Sequence, residues 1–506
     1  MTDIVPIKSI PGVQRDGTRF DRQFYTDAQW CRFQRQRPRK IAGYRSVTNQ
    51  LAQLVYGLDS FSVNALQYMH LGSNSLLGQR RIDNSGAQVG FADRTPGAPF
   101  VADPNNIWQM AAIYDINLAA TALVANAAPN MDIASDVARA IFYGKLTDPT
   151  ALIDTTMTPV SGGVMVIGNY LVSYGSAGYV QWNTIANNLT GGTDEDFVTP
   201  QKIVQGLPVR GGGVPAGLLW SLDSLLVMRQ NSSGIPSLWS WDTLGEISML
   251  SSRGAIEYDG VYYWPSVDRF MSYNGVIREV PNQFNVNFFF DNLNYAQRQK
   301  VFAIKFPRFG EIWWCFPYGN ATECNRAVIL NLRENCWYDT MLPEDGRTDG
   351  IYAKVYNKPF MTGVRNSGAG YNLWQHETGT DAVSTTTEPI QSYFETAELS
   401  MVSNEKPEDV TLRVAVVEPD FVQSGDLTLT IKSRANARAA IQTSDPTTIS
   451  PQQEPPSGVD AENQLARVKN TGRLMAFRFE SNTPGGDYQM GRPVAHIDQA
   501  GERKSQ

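Results

Sequence analysis

Four cysteines (Cys31, Cys315, Cys324, Cys336) and three histidines (His70, His376, His496) are the residues best suited to bind a metal or attack a substrate. No two cysteines form a C-x-x-C pair and the histidines stand far apart, so the spacing gives no support for a zinc site. Cysteines so distributed behave as small apolar core residues in a reducing compartment. G-x-S-x-G, the Gly-Lys-Ser/Thr ending of a P-loop and H-E-x-x-H are all absent. Gly211-Gly212-Gly213 with Gly217 imitates a phosphate loop, but Pro215 and the apolar strand after it deny a helix N-terminus, so it reads as a turn. Glu344-Asp345-Gly346 through Asp349-Gly350 matches part of a calcium loop and lacks its terminal acidic ligand. Paired carboxylates for glycoside hydrolysis cannot be singled out among 50 acidic residues. The chain is read as a non-enzyme without cofactor or metal.

Charge is concentrated in one place. Met1 to about Arg45 carries Arg15, Arg19, Arg22, Arg32, Arg35, Arg37, Arg39, Lys40 and Arg45, interleaved with Phe20, Phe24, Tyr25, Trp30 and Phe33, in a chain of formal charge −7. Basic residues with aromatics between them suit phosphate contacts plus base stacking. They equally suit an arm that docks on an acidic neighbour. An acidic protein with one basic segment favours the arm, with Arg32, Arg35, Arg37, Arg39 and Lys40 as its docking residues.

The elements that must carry these residues are strands. Ala255 to Val280 reads AIEY, Asp259-Gly260, VYYW, Pro265 to Asp268, RFMSY, Asn274-Gly275, VIREV. Asp-Gly and Asn-Gly tolerate positive φ at both centres of a type I′ turn. Asp259, Gly260, Asn274 and Gly275 are therefore expected in two-residue hairpins joining four short strands, the content of one propeller blade. Apolar strand, small-residue turn and a strand closing on Trp or Tyr recur at Val164–Trp182, Leu218–Trp241, Ile312–Tyr338 and Ile351–Trp374, with a weaker copy at Ala65–Gln79. A β-sandwich or jelly roll is the alternative; repeated four-strand units favour radial stacking. The expected fold is all-β, a β-propeller with a smaller C-terminal β-sandwich and an extended N-terminal arm.

With 506 residues, two or three domains are expected. The boundaries drawn are a basic arm at 1–50, a propeller body at 51–385 and a C-terminal sandwich at 386–506. The body includes an Ala-rich insertion around 104–154, read as holding a short helix from Ala134 to Phe142 capped by Asp132 or Ser135. A second short helix is expected within Asn282–Lys300, packing Phe284, Phe288, Phe289 and Phe290 on the sheet. Candidate sandwich strands are Gln391–Glu395, Val410–Val417, Leu427–Ser433, Gln464–Val468 and Leu474–Glu480, with Thr443–Asp460 a long loop. No run reaches the eighteen or so apolar residues of a membrane helix, and the N-terminus lacks the apolar core of a signal peptide. The 11 Trp and 21 Tyr supply aromatic mass for cores and subunit interfaces.

The segment QWCRFQRQRPRKIAGYR (Gln29 to Arg45) resembles the N-terminal segment of tail hub or nozzle proteins of short-tailed bacteriophages, also called packaged-DNA stabilisation proteins. ISMLSSRGAIEYDGVYYWPSVDRFMSYNGVIREVPN (Ile247 to Asn282) and FGEIWWCFPYGNATECNRAVILNLRENCWYD (Phe309 to Asp339) resemble its central region. VVEPDF (Val416 to Phe421) and GRLMAFRFESN (Gly472 to Asn482) are similar to its C-terminal segments. The order of these segments carries the resemblance. It implies a structural virion protein, made in the host cytoplasm and placed in the virion tail, as a ring of identical subunits, usually six, below portal-side and adaptor proteins. Tail fibres are a further partner class, and packaged DNA would pass through without sequence-specific binding. Six copies would bring roughly 42 negative charges around the axis, a wall that repels phosphate during ejection. The other readings are a carbohydrate-binding host-recognition propeller and a propeller glycosidase.

Overall fold

A computed structural model describes residues 3–19, 23–47, 51–63, 66–83, 86–131, 136–231, 237–343, 346–364, 370–400, 410–451 and 465–502. Among them, six four-stranded antiparallel sheets follow one another along the chain, and a seventh, six-stranded sheet comes after them. Their first strands are Val55–Val63, Ile107–Asp115, Gly163–Ile167, Ile203–Pro208, Ile256–Tyr258, Phe302–Phe306 and Arg347–Ala353, which line a common axis as the inner strands of blades one to seven. Blade seven takes Lys358–Val364 and Tyr371–His376 as its next strands and then borrows Tyr44–Ser46 from the N-terminus. The pairing is antiparallel, Trp374 with Ser46 and His376 with Tyr44. The inner strand of blade seven packs on that of blade one, so the ring is closed. This is a seven-bladed β-propeller.

A blade lies between two others, so both its faces are buried and its strands need not alternate in polarity. Glu311–Phe316 in blade six is buried at every position. Trp313 and Cys315 enter one core, while Ile312, Trp314 and Phe316 enter another against Phe270 and Phe289. Between blades four and five, Trp220 and Trp264 meet edge to face at 5.7 Å. The expected meander is one sheet, Ile256–Tyr258, Val261–Pro265, Phe270–Tyr273 and Ile277–Glu279. Asp259 and Gly260 both take positive φ, 50° and 82°. The second turn differs from expectation. Tyr273 pairs with Ile277, leaving a three-residue loop in which Gly275 has φ 103° and Asn274 stays at negative φ. The extra residue, Val276, is 57% exposed at the loop tip, so no apolar contact pulls it into the ladder.

The Ala-rich insertion is blade two, and no helix forms among the described residues of 134–142. Ala120–Ala128 pairs with Ile107–Asp115 on one side and with Ile141–Lys145 on the other, so Ile141 and Phe142 are strand residues. Ala122, Ala125, Ala127 and Ala128 are at most 1% exposed. Small side chains let neighbouring blades approach closely, and this packing overrides helix propensity. Asp132, Ala134 and Ser135 lie outside the described residues. The other expected helix forms at Val286–Asn292, burying Phe289.

The C-terminal region is a set of sheets to which the N-terminus contributes throughout. Asp3–Pro6 is the edge of a sheet with Val494–Glu502, Val410–Glu418 and Ala466–Gly472. Asp27–Gln29 is the edge of another, beside Ser392–Glu395, Leu474–Ser481 and Leu427–Arg434. The hairpin Cys31–Gln34 and Arg37–Lys40 joins Asp487–Met490 and Phe421–Ser424. The N-terminal segment is extended, but the boundaries at 50 and 385 are redrawn: described strands between 3 and 40 join those between 392 and 502, while Tyr44–Ser46, Ala382–Val383 and Thr387–Glu388 belong to the sheet of blade seven.

Trp264 is fully buried, so Trp264→Ala should lower unfolding free energy by ~3–5 kcal/mol in denaturant titration. A Cβ at Gly275 meets open space, so Gly275→Val should cost only the backbone strain, about 1–2 kcal/mol. Equal losses would contradict the blade packing.

Candidate functional site

The inner strands of all seven blades enclose an axial cavity of about 610 Å³. Its polar side chains mostly tie blade to blade. Tyr174 Oη donates to Gln109 Oε1 at 2.6 Å, and Gln109 Nε2 donates to the Val204 carbonyl at 3.2 Å, joining blades two, three and four. Gln205 makes two bonds of 3.0 Å with the backbone of Ala255, across to blade five. Arg253 pairs with Asp349 at 3.1 Å, and Asp349 accepts the backbone N–H of Leu58 at 2.6 Å and of Gly350 at 2.9 Å. Lys305 holds Glu257 at 3.1 Å.

Asp59 is the exception. Its carboxylate accepts the Ser60 N–H at 2.7 Å, and among the described residues no cation pairs with it. Burial, with a smaller push from Asp349, raises its pKa to about 7. Of the three lining carboxyls, two are thus immobilised by cations and one is left with altered proton affinity.

The basic segment is divided by the fold. Arg32 lies in a strand flanked by the buried Cys31 and Phe33 and is 1% exposed. Its Nη2 meets Glu377 Oε1 at 2.6 Å, its Nη1 meets Glu377 Oε2 at 3.0 Å and its Nε lies 2.8 Å from Glu311 Oε1. The guanidinium carbon sits 3.5 Å from the Phe309 ring centre. Glu311 also accepts Trp313 Nε1–H at 2.9 Å and Tyr338 O–H at 2.7 Å. Burial pushes the Glu311 carboxyl above its usual range against the pull of Arg32. Lys40, 2% exposed, donates to the Gly486 carbonyl at 2.7 Å, and burial lowers its pKa. Arg32 and Lys40 are therefore corrected from docking residues to internal ties: their strands lie where two domains meet and water is excluded. Arg39 is half-buried and donates to Gln34 at 2.8 Å.

A second tie uses Arg15, which pairs with Asp339 at 2.8 Å and Asp27 at 2.7 Å, while Arg326 reaches Asp339 at 2.6 Å. Burial alone would raise Asp339, but the two arginines hold it below the usual carboxylate range.

Arg35 and Arg37 remain at the surface. With Lys8 and Ile10 they line an open groove of about 430 Å³. The Arg35-Gln36 turn is held by Glu334, whose two oxygens accept both backbone N–H groups at 2.8 and 2.9 Å.

The other chemistry-bearing residues are not gathered into a site. His70 and His376 are buried in blades one and seven, where burial holds them neutral, and His496 pairs with Glu418 in the sandwich at 2.6 Å. The four cysteines are free thiols in the junction core, and burial raises their pKa values, Cys31 to about 12. Gly211 and Gly212 take positive φ in an open hairpin loop of blade four. Glu344 and Asp345 lie outside the described residues. Asp59, Glu311, Glu377 and Asp339 escaped sequence reasoning. The one readable signal was a lone Glu opening the run EIWWCF, since a charge there must be paired.

No family model and no curated protein matches the chain. Among solved structures it is similar to the WD40 β-propeller domain of Doa1, at 10% identity and a TM-score of 0.39, over 67% of this chain and 97% of that one. The chain's own sheets define its class: an all-β protein built on a β-propeller.

Arg32→Ala leaves two buried carboxylates without their cation and should destabilise by ~3–5 kcal/mol, while Arg35→Glu with Arg37→Glu should stay within about 0.5 kcal/mol of wild type. Denaturant titration separates these outcomes. Asp59 has a folded pKa above its unfolded one, so it destabilises the native state increasingly from about pH 4 to about pH 7. Asp59→Asn should gain about 1 kcal/mol near pH 8, discounted for solvent in the channel, and nothing near pH 4.

Proposed function

We propose that this chain is a structural subunit of the tail nozzle of a short-tailed bacteriophage, one of a ring of identical copies that surrounds the DNA exit path and helps retain the packaged genome. The observation that carries this reading is spatial. The separated segments that resemble the tail hub group pack into one continuous unit. Trp30 of the N-terminal segment meets Trp313 of the central one at 6.2 Å, and Arg32 meets Glu311. The two central segments join through Phe270 and Trp337 at 4.8 Å and through Trp337 Nε1–H on the Pro281 carbonyl at 2.9 Å. Phe421 and Phe479 of the C-terminal segments lie 5.0 Å apart, and Phe479 shares the junction core with Trp30. The segments that carry the resemblance are thus among those that hold this fold together, which suits a protein whose role is its shape.

DNA would follow the axis of the ring rather than the propeller's own channel, whose side chains are committed to joining blades. The role is not enzymatic, and it needs no cofactor. Adaptor- and portal-side tail proteins are its neighbours, with the virion tail as its location.

Electron microscopy of assembled particles tests this reading. Six copies around the tail axis are expected. Copies at the tail periphery, or hydrolysis of host polysaccharide by the purified chain, would overturn it.

A further inference from the structure

We propose that adjacent copies of this chain join head to tail, the groove bearing Lys8, Arg35 and Arg37 on one copy seating the acidic edge strand Thr193–Phe197 of the next. The inference deepens the ring reading above and rests on it for its biological setting.

The groove has cations to spare. Lys8 and Arg35 are exposed and Arg37 half-buried, and no carboxylate pairs with any of the three side chains among the described residues. Ile10, 44% exposed, adds an apolar wall. The turn presenting Arg35 is also a costly one. Arg35 and Gln36 take φ of 53° and 62°, the conformation for which Asn-Gly is the usual choice in a two-residue hairpin. Two non-glycine residues there are strained. Glu334 pins the turn by its backbone, so the arginine side chain is held outward instead of folding back onto its own domain.

The complementary surface is the outer strand of blade three. All five residues of Thr193–Phe197 are exposed. The strand pairs with Tyr179–Asn183 on one side and leaves its other edge open. Asp194, Glu195 and Asp196 have no cationic partner among the described residues; Glu195 accepts only the Tyr179 hydroxyl, at 2.6 Å. Phe197 is 65% exposed beside them. Charge on an edge strand keeps edges of different molecules apart, and three acids would serve that end alone. An exposed phenylalanine at the same edge works against it. Three cations and an isoleucine on one surface match three anions and a phenylalanine on the other.

Position decides what such a contact builds. The N-terminal segment packs on blade six, where Asp27–Gln29 and Ile10–Val13 touch Cys336–Met341. Blade three lies three blades from six in one direction and three from seven in the other, across the propeller axis. The two surfaces are different patches on well-separated blades, so their contact is heterologous and repeats from copy to copy, closing as a ring when the rotation allows.

Sedimentation velocity of the full chain tests this at low and high salt. Wild type should self-associate with concentration, at least tenfold more weakly in high salt. The groove variant (Lys8→Glu, Arg35→Glu, Arg37→Glu) and the edge variant (Asp194→Lys, Glu195→Lys, Asp196→Lys) should each remain monomeric. An equimolar mixture of the two should associate again, because each then offers the charge the other lacks; this recovery also shows that both are folded. A wild type monomeric throughout, association unchanged in either variant, or a groove variant that loses only binding to a short DNA duplex would overturn the proposal. A ring seen in particles with a different contact would remove this inference and leave the nozzle reading standing. Association through these charges by a chain absent from the axial ring would do the reverse.

Discussion

An arginine buried between two glutamates fixes how the two parts of this protein meet. Arg32 comes from the N-terminal hairpin, Glu311 from blade six and Glu377 from the end of blade seven, 279 and 345 residues away. None of the three charges could remain in that dry junction alone, because desolvation of an unpaired ion costs several kcal/mol. A matched apolar replacement of all three would be close to neutral in stability. The triad therefore contributes geometry: bidentate pairing, with Trp313 and Tyr338 donating to the remaining oxygen sites, admits one arrangement of hairpin and blade. Asp339 between Arg15 and Arg326 repeats the device two strands further along the same blade.

The rest of the architecture follows from where that hairpin must lie. Once Cys31–Lys40 is anchored on blade six, the next residues reach blade seven, and Tyr44–Ser46 enters its sheet between Tyr371–His376 and Ala382–Val383. Tyr44 stacks on His376 at 5.2 Å and meets Trp374 at 5.3 Å, so the closure is packed as well as hydrogen-bonded. The residues before the hairpin return to the sandwich as edge strands. Propeller and sandwich are thus held by one stretch of chain, and the wall of the axial channel is stapled by its own glutamines and by Arg253. The groove and the acidic edge are left at the molecule's surface.

Blades three to seven were legible because local pairing has local signals: Asp259-Gly260, Trp-closed strands, and turns rich in Gly, Asn and Ser. Blade two was not, since ALVANAA has the composition of a helix and becomes a strand only when neighbouring blades demand small side chains. The closing strand was also hidden. YRS carries no hairpin signal, and its partner lies more than 300 residues away. Arg32 was misread for a related reason: a basic run looks like a surface until the fold shows that Cys31 and Phe33 on either side are buried. Of the candidate docking residues, only Arg35 and Arg37 line the groove, and Arg35 is presented there by a turn whose positive φ the sequence does not show.

The N-terminal segment is an internal tie rather than an arm left free to dock on a neighbour. Hydrogen exchange on the intact chain tests it most directly, through the backbone amides of residues 31–46. The account predicts protection comparable to that of Glu311–Phe316 in blade six. Exchange of that segment at the rate of an unstructured peptide, with the blades still protected, would contradict it.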